Sequence, residues 1–264
     1  MDPETVRELT GITRGFYDGS ALGFGATREL AWPGWNRVLD LVAPAFAGRP
    51  VVSVLDVGCG NGRLVRCLQR SLRQPFTYFG FDSSPALIAR AQERVRGLAG
   101  SRCAVWDMVD GGLPPAVAGV QFDLITAFGV LHHLPGYARR RLLLETLCRA
   151  TSPHGAVAAS TWRITSQERF RERLLSWEDY NRAHPKAIDL SQLEPGDHLV
   201  ARAGQAPRYC HLIDLAEEAL LMSELPLAWT AVFTADGCAG HLNRYFILQR
   251  LAASSTSPEG PDRD

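Results

Sequence analysis

Three glycines within Leu55-Asp56-Val57-Gly58-Cys59-Gly60-Asn61-Gly62 stand directly after an apolar, β-branched stretch and open a helix. Missing side chains let the backbone approach a ligand closely, so this spacing reads as a cofactor loop. A dinucleotide fingerprint needs a further glycine three positions after the second. After Gly60 that position is Arg63 and after Gly62 it is Val65, which argues against NAD and FAD. Twenty residues beyond Gly62, Asp82 ends the next apolar run, where a carboxylate can accept both hydroxyls of a ribose. Asp107, with Met108 beside it, ends a third run. Singly, each acid reads as a strand-end cap or turn residue; three acids after three successive strands read as a ligand site.

The elements that must position these residues alternate. Residues 3–32 read as helical without a strong apolar stripe and stop at Trp32-Pro33-Gly34-Trp35, where Pro33 opens a helix over 33–46. Residues 51–56 and 76–81 read as buried strands around a helix that carries Leu64, Val65, Leu68 and Leu72 on one face. Ser84-Pro85 caps and opens a helix with Leu87, Ile88, Ala91 and Val95 inward. Strands over 103–106, 122–127 and 156–162 and a helix over 137–150 continue the pattern, and a helix over 212–225 with strands over 229–233 and 243–248 closes it. Such alternation specifies an α/β, doubly wound, mostly parallel sheet whose ligands lie beyond the carboxyl ends of the strands. The chemistry is therefore expected at 56–62, 82, 107 and 127–133. Residues 163 to about 210, of mixed charge and with Pro185, Pro195 and Pro207, read as an insertion or lid, and 251–264 as a disordered tail.

The 264-residue chain has 28 Lys+Arg against 28 Asp+Glu, which removes a uniform positive field as an argument for nucleic-acid binding. A local basic surface remains: from Arg63 to Arg102 there are eight arginines against Asp82 and Glu93. They either contact phosphate or solvate two helix faces. Six scattered cysteines include no C-x-x-C pair, and neither an apolar leader nor a span of membrane length is present, so a cytoplasmic protein with no membrane partner is expected.

The glycine loop resembles motif I of the class I S-adenosylmethionine-dependent methyltransferases, which implies a seven-stranded sheet with an antiparallel last strand. The resemblance narrows at Phe122-Asp123-Leu124-Ile125, Val130-Leu131-His132-His133 and Arg139-Arg140-Arg141. These, with Phe24-Gly25-Ala26-Thr27-Arg28, Gly196-Asp197-His198-Leu199-Val200 and Arg208-Tyr209-Cys210-His211, are similar to the eukaryotic tRNA methyltransferases that esterify 5-carboxymethyluridine at the wobble position. The likeness runs from about residue 13 to residue 248, and it departs from the family at Ala201-Arg202, where the family has Pro-Trp, and at Cys210, where it has a second aromatic.

The resemblance implies S-adenosylmethionine as cofactor, S-adenosylhomocysteine as product, and no metal. Its cofactor-binding set is Tyr17, Asp56, Gly58, Gly60, Asn61, Gly62, Asp82, Ser83, Asp107, Met108, Ala127 and Phe128. Within that set Asp56 meets the methionine part and Asp107 the adenine amine. Tyr17 can close over the cofactor, although an aromatic in an amphipathic helix also reads as core. His133 is implied as orienter or base and Arg28 and Arg208 as holders of the acceptor, with Trp32, Tyr209 and His211 binding substrate. Either histidine reads equally as a helix cap or as packing under the lid, and either arginine as surface. The implied domains are a helical cap over 1–46, a methyltransferase domain over 47–250 and the tail.

Methyl transfer from a sulfonium is an in-line displacement, and a carboxylate acceptor is already ionised at pH 7, so it needs positioning rather than deprotonation. Arginine holds such a group bidentately. The expected acceptor is accordingly a carboxylate of a modified wobble uridine in tRNA. A small-molecule O- or N-methyltransferase on a small anionic acceptor is the second reading. A non-catalytic cofactor-binding subunit, working with a small activating adaptor protein as the eukaryotic relatives do, is the third.

Overall fold

The computed structural model describes residues 1–26, 31–109, 112–163, 171–201 and 205–250, so Arg28 and the 251–264 tail lie outside the described residues. After α1 (Pro3–Ala26) and α2 (Pro33–Val42), strands and helices alternate as β1 (Val52–Val57), α3 (Leu64–Ser71), β2 (Phe76–Asp82), α4 (Pro85–Val95), β3 (Arg102–Val105), β4 (Phe122–Phe128), α5 (Tyr137–Arg149) and β5 (Thr151–Trp162). The inserted segment adds β6 (Leu174–Leu175), α6 (Trp177–Ala183), β7 (Asp197–Val200) and β8 (Arg208–His211). Then α7 (Leu215–Met222), β9 (Ala228–Ala235) and β10 (Asn243–Gln249) close the sheet.

The seven strands lie in the order β3-β2-β1-β4-β5-β10-β9. β1 pairs in parallel with β2 and β4, and β10 runs antiparallel to both β5 and β9, as expected for the last strand. The order reverses between β1 and β4, and a crevice opens at such a switch point beyond the strand ends. Alternation along β1 divides the core. Val52 and Val54 pack with Val65, Leu68, Ile88 and Ala91 of α3 and α4, while Leu55 and Val57 pack with Leu143, Leu144 and Leu147 of α5 and Leu221 of α7. A one-residue slip of this strand would turn Asp56 to the opposite face of the sheet, away from Tyr78 and Thr126.

Local chemistry explains where the elements depart from expectation. The residue before a proline is driven out of the α region, and Trp32 is extended (φ −73°, ψ 135°), so the first helix stops short of it. The second helix gives way after Val42 to a 3₁₀ turn over Ala43–Phe46, because Pro44 has no N–H to continue it. β5 begins at Thr151, five residues early. Its pairing with β4 shifts between Phe122 and Leu124, which lets Pro153 and His154 bulge into solvent within one strand. Asp214 accepts from the Glu217 amide and so starts α7 three residues later than expected. β6, β7 and β8 form a separate antiparallel sheet within the insertion. No helix among the described residues is long and apolar enough to cross a membrane.

Candidate active site

A cavity of about 440 Å³ lies beyond the ends of β1, β2 and β4. On one side Asp82 ends β2 half-buried, and its carboxylate accepts from the Gly60 amide (3.0 Å) and the Ser84 amide (2.9 Å). Burial still lifts its carboxyl above the usual range against those bonds. Gly60 turns at φ +54° with nothing within 4 Å of where a Cβ would stand, so the loop leaves open space in front of its backbone. Gly62 does different work: a Cβ there would lie 3.1 Å from Ala91 Cα and Cβ, so this glycine, which does not line the cavity, lets the loop pack on α4.

Asp56 is buried between Gly80 and Thr126 in the sheet register. It accepts from Tyr78 Oη (2.6 Å) and Thr126 Oγ1 (2.7 Å). Burial outweighs these bonds and moves its carboxyl up to about 6. The cavity also receives Asn61, Ser83, Met108 and Phe128; Ala127 is fully buried behind it. Asp107 accepts from the Val109 amide (2.9 Å) and pairs with Arg14.

Arg14 belongs to a stripe of α1 that fastens this helix across the strand ends. Arg14 meets Asp107 after β3, Asp18 accepts from Ser84 Oγ (3.2 Å) after β2, and the Tyr17 hydroxyl lies 2.9 Å from His133 Nε2 after β4. His133 Nδ1 lies 2.9 Å from the carbonyl oxygen of Tyr209, which can only accept, so the ring proton is on Nδ1 and Nε2 takes the tyrosine proton. Burial first and Arg208 second push this imidazole down to about 3. His133 is thus neutral with both nitrogens engaged, a clamp joining α1, the 3₁₀ turn Leu131–His133 and β8. It has no nitrogen left for the base role expected of it.

The other side of the cavity is aromatic and donor-rich. Trp32, Trp35, Phe128 and Trp162 line it, with Trp35 stacked on Phe128 at 5.7 Å. The Arg208 guanidinium is buried at 7% exposure, 4.0 Å over the Trp162 ring and 4.8 Å over Phe16. No carboxylate among the described residues pairs with it. Three buried polar atoms of cavity-lining residues also lack a partner among the described residues: Thr10 Oγ1, Trp35 Nε1 and His132 Nδ1. Unpartnered buried polar atoms around an open volume are what a ligand rich in hydrogen-bonding groups would satisfy. Together with the space before Gly60 and the spare lone pairs of Asp82, they fit a cofactor with ribose hydroxyls and a second, anionic ligand.

Two residues expected to bind substrate lie elsewhere. The Tyr209 side chain points out of the cavity and donates to Asp197 Oδ1 (2.6 Å). His211 is held between Asp197 Oδ1 and Glu217 Oε2, at 2.6 Å each. Burial opposes its charge, but the two carboxylates prevail and raise its pKa, while Asp197 and Glu217 are lowered in turn. Arg140, 1% exposed, completes the cluster by donating to Glu194, Glu217 and the Leu134 carbonyl. This buried network ties the insertion to α5 and α7. Among the described residues two groups are close enough to surround a metal ion, Glu194 with Asp197 and His211 in this network, and His132 with His133 and Cys210. In the first the carboxylates are spent on His211 and Arg140. In the second His133 is spent on Tyr17 and Tyr209, and burial keeps the Cys210 thiol up at about 11.

The cavity therefore gathers Tyr17, Trp32, Asp56, Gly58, Gly60, Asn61, Asp82, Ser83, Asp107, Met108, Phe128, His133 and Arg208, and leaves out Gly62, Ala127, Tyr209 and His211. Sequence reading missed Thr10, Thr13, Arg14, Trp35, Arg63, His132, Trp162 and Asn243. The only signal for the α1 residues was the polar i, i+3, i+4 stripe of Arg14, Tyr17 and Asp18.

Residues 55–157 match a family model described as a methyltransferase domain. The Arabidopsis thaliana tRNA (carboxymethyluridine(34)-5-O)-methyltransferase is 31% identical over 154 residues, 58% of this chain and 33% of that protein. The "Probable tRNA methyltransferase 9B" of Mus musculus is 26% identical over 183 residues, 69% of this chain and 36% of that protein. The chain thus spans about a third of the length of these relatives. Among solved structures, the amino pentose methyltransferase CalS10 of Micromonospora echinaspora, with S-adenosylmethionine bound, superposes with a TM-score of 0.54 over 87% of this chain and 97% of its own, at 20% identity. The fold is that of the class I methyltransferases.

Proposed function

We propose that this chain is an S-adenosylmethionine-dependent methyltransferase that esterifies a carboxylate, and that the carboxylate belongs to a modified wobble uridine of tRNA. The observation that carries the anionic acceptor is Arg208: a buried guanidinium, with no carboxylate partner among the described residues, in the cavity that also holds the glycine loop and Asp82. An unpaired buried charge is costly unless a ligand brings its partner. The names of the two tRNA methyltransferase relatives support tRNA as the source of the carboxylate.

When bound, S-adenosylmethionine supplies a methyl group on a cationic sulfur. Asp82 would receive the ribose hydroxyls, the Gly58 to Gly60 backbone would lie along the methionine part, and Asp107 would face the adenine once Arg14 yields to it. Arg208 holds the acceptor oxygen on the opposite wall. The aromatic lining excludes water from the path between them. A carboxylate acceptor arrives ionised, so the reaction runs without a base, in keeping with a His133 whose nitrogens are both bonded.

Calorimetric titration with S-adenosylmethionine and S-adenosylhomocysteine, followed by label transfer to total tRNA and to a metabolite extract, tests this reading. Saturable binding with transfer to tRNA is expected. Absence of cofactor binding would sink the enzyme reading, and transfer to metabolites alone would replace tRNA by a small anionic acceptor. That second acceptor class is favoured by Ala201-Arg202 standing where the similar family has Pro-Trp.

A further inference from the structure

The two adjacent histidines at the end of β4 are not equivalent, although their rings are only 4.3 Å apart. His133 is closed on both sides by Tyr17 and Tyr209. His132, 4% exposed, lines the cavity, stacks on Trp162 (5.4 Å, 28°) and has no partner at Nδ1 among the described residues. The Arg208 guanidinium also lies 4.0 Å over the Trp162 ring. An enclosed N–H with no acceptor is rarer and costlier than an enclosed bare lone pair, so the His132 proton belongs on Nε2, the nitrogen left to face the cavity. Burial, with His133, Arg208 and His211 adding to it, keeps the ring neutral.

We propose that His132 is a specificity-determining residue that donates a neutral hydrogen bond to the acceptor's anionic group beside Arg208, so that the pair selects a singly charged carboxylate. One fixed positive charge and one uncharged donor match one negative charge spread over two oxygens. A second positive charge at His132 would instead favour a dianion such as a phosphate monoester. The inference rests on the reading that an anionic acceptor reaches Arg208, and it assigns to His132 the polar contact that sequence similarity assigned to His133.

The test uses the full chain, labelled S-adenosylmethionine, and total tRNA whose methyl esters have been saponified to carboxylates. His132→Phe, which keeps the stack on Trp162 and removes the donor, is expected to raise KM for this tRNA about 10- to 100-fold, with kcat changed less. S-adenosylhomocysteine affinity, measured by calorimetry, is expected to stay at the wild-type value. His132→Gln, whose amide can donate, is expected to recover most of the loss, and the wild-type KM to stay flat with pH through the ordinary histidine range. His132→Leu carries the same comparison if phenylalanine disturbs the fold. A donor-free variant with wild-type KM overturns the role of His132 and leaves the methyltransferase reading standing. A wild-type protein that binds S-adenosylhomocysteine yet transfers nothing to the saponified tRNA overturns the acceptor reading, and the role of His132 with it.

Discussion

On the side of the cavity proposed for the cofactor, the lining polar groups are main-chain amides and carboxylates at the ends of β1, β2 and β3, each placed by the element that carries it. On the acceptor side they are side chains collected from α1, the start of α2, the turn after β4, the end of β5, β8 and β10. The first half needs only a strand, a glycine turn and a helix in succession. The second exists only when distant elements close together. The halves also differ in charge: Asp56, Asp82 and Asp107 line the first, and Arg208 with neutral histidines the second. On the proposed function, a methyl donor that carries positive charge and an acceptor that carries negative charge would be sorted by this polarity before any contact is made.

Removing the central carboxylate of the first half should have the largest effect. Asp82→Ala deletes both the acceptor for ribose hydroxyls and the anchor of the Gly60 and Ser84 amides, and cofactor affinity is expected to fall by about 100-fold or more by calorimetry. A variant with undiminished affinity would show that the two halves are not divided as drawn.

Arg208→Met sharpens the contrast from the other side. KM for the acceptor is expected to rise about 100-fold while cofactor affinity holds, because the lost group touches only the second half. The same variant should melt no lower than wild type, and rather higher, since it removes a buried cation that no described carboxylate neutralises. A drop in melting temperature of several degrees would mean that the cation is paired within the protein.

The smallest effect separates the cavity from the network that braces it. His211 has its pKa raised in the folded state by Asp197 and Glu217, so its contribution is full below the unfolded value near 6.5 and is lost as pH rises through the higher folded one. Asp197 and Glu217 have lowered pKa values, so their contribution is present above the unfolded carboxylate range and is lost as pH falls through the folded ones. Hydrogen-exchange protection of β7 and β8 is therefore expected to hold from mildly acid to neutral pH and to weaken on the alkaline side. His211→Gln should abolish the alkaline limb. An unchanged limb would place the titrating group elsewhere.

What could be read from the sequence follows the same division. The alternation of strands and helices and the loop from Asp56 to Gly62 were legible because they are written in short contiguous patterns whose physics is local. The insertion was not, since β7 and β8 are four-residue strands whose polar groups, Asp197 and His211, point at each other rather than alternating toward solvent. His211 and Tyr209 looked like substrate ligands because nothing in their neighbourhood along the chain reveals that Asp197 and Glu217 would claim them. Arg208, expected to face the pocket, lines the cavity, and the aromatic faces of Phe16 and Trp162 that hold it come from positions 192 and 46 residues away.

α1 packs on the insertion through Leu9, Ile188 and Tyr209, and its Phe16 lies under Arg208 while Arg14, Tyr17 and Asp18 reach the strand ends. One body therefore touches both binding half-sites. Any free energy that one ligand spends in ordering that body is free energy the other no longer needs to spend. By thermodynamic linkage the factor by which the cofactor tightens acceptor binding equals the factor by which the acceptor tightens the cofactor. The neutral ester, having given up the charge proposed to meet Arg208, would bind more weakly by the loss of that contact.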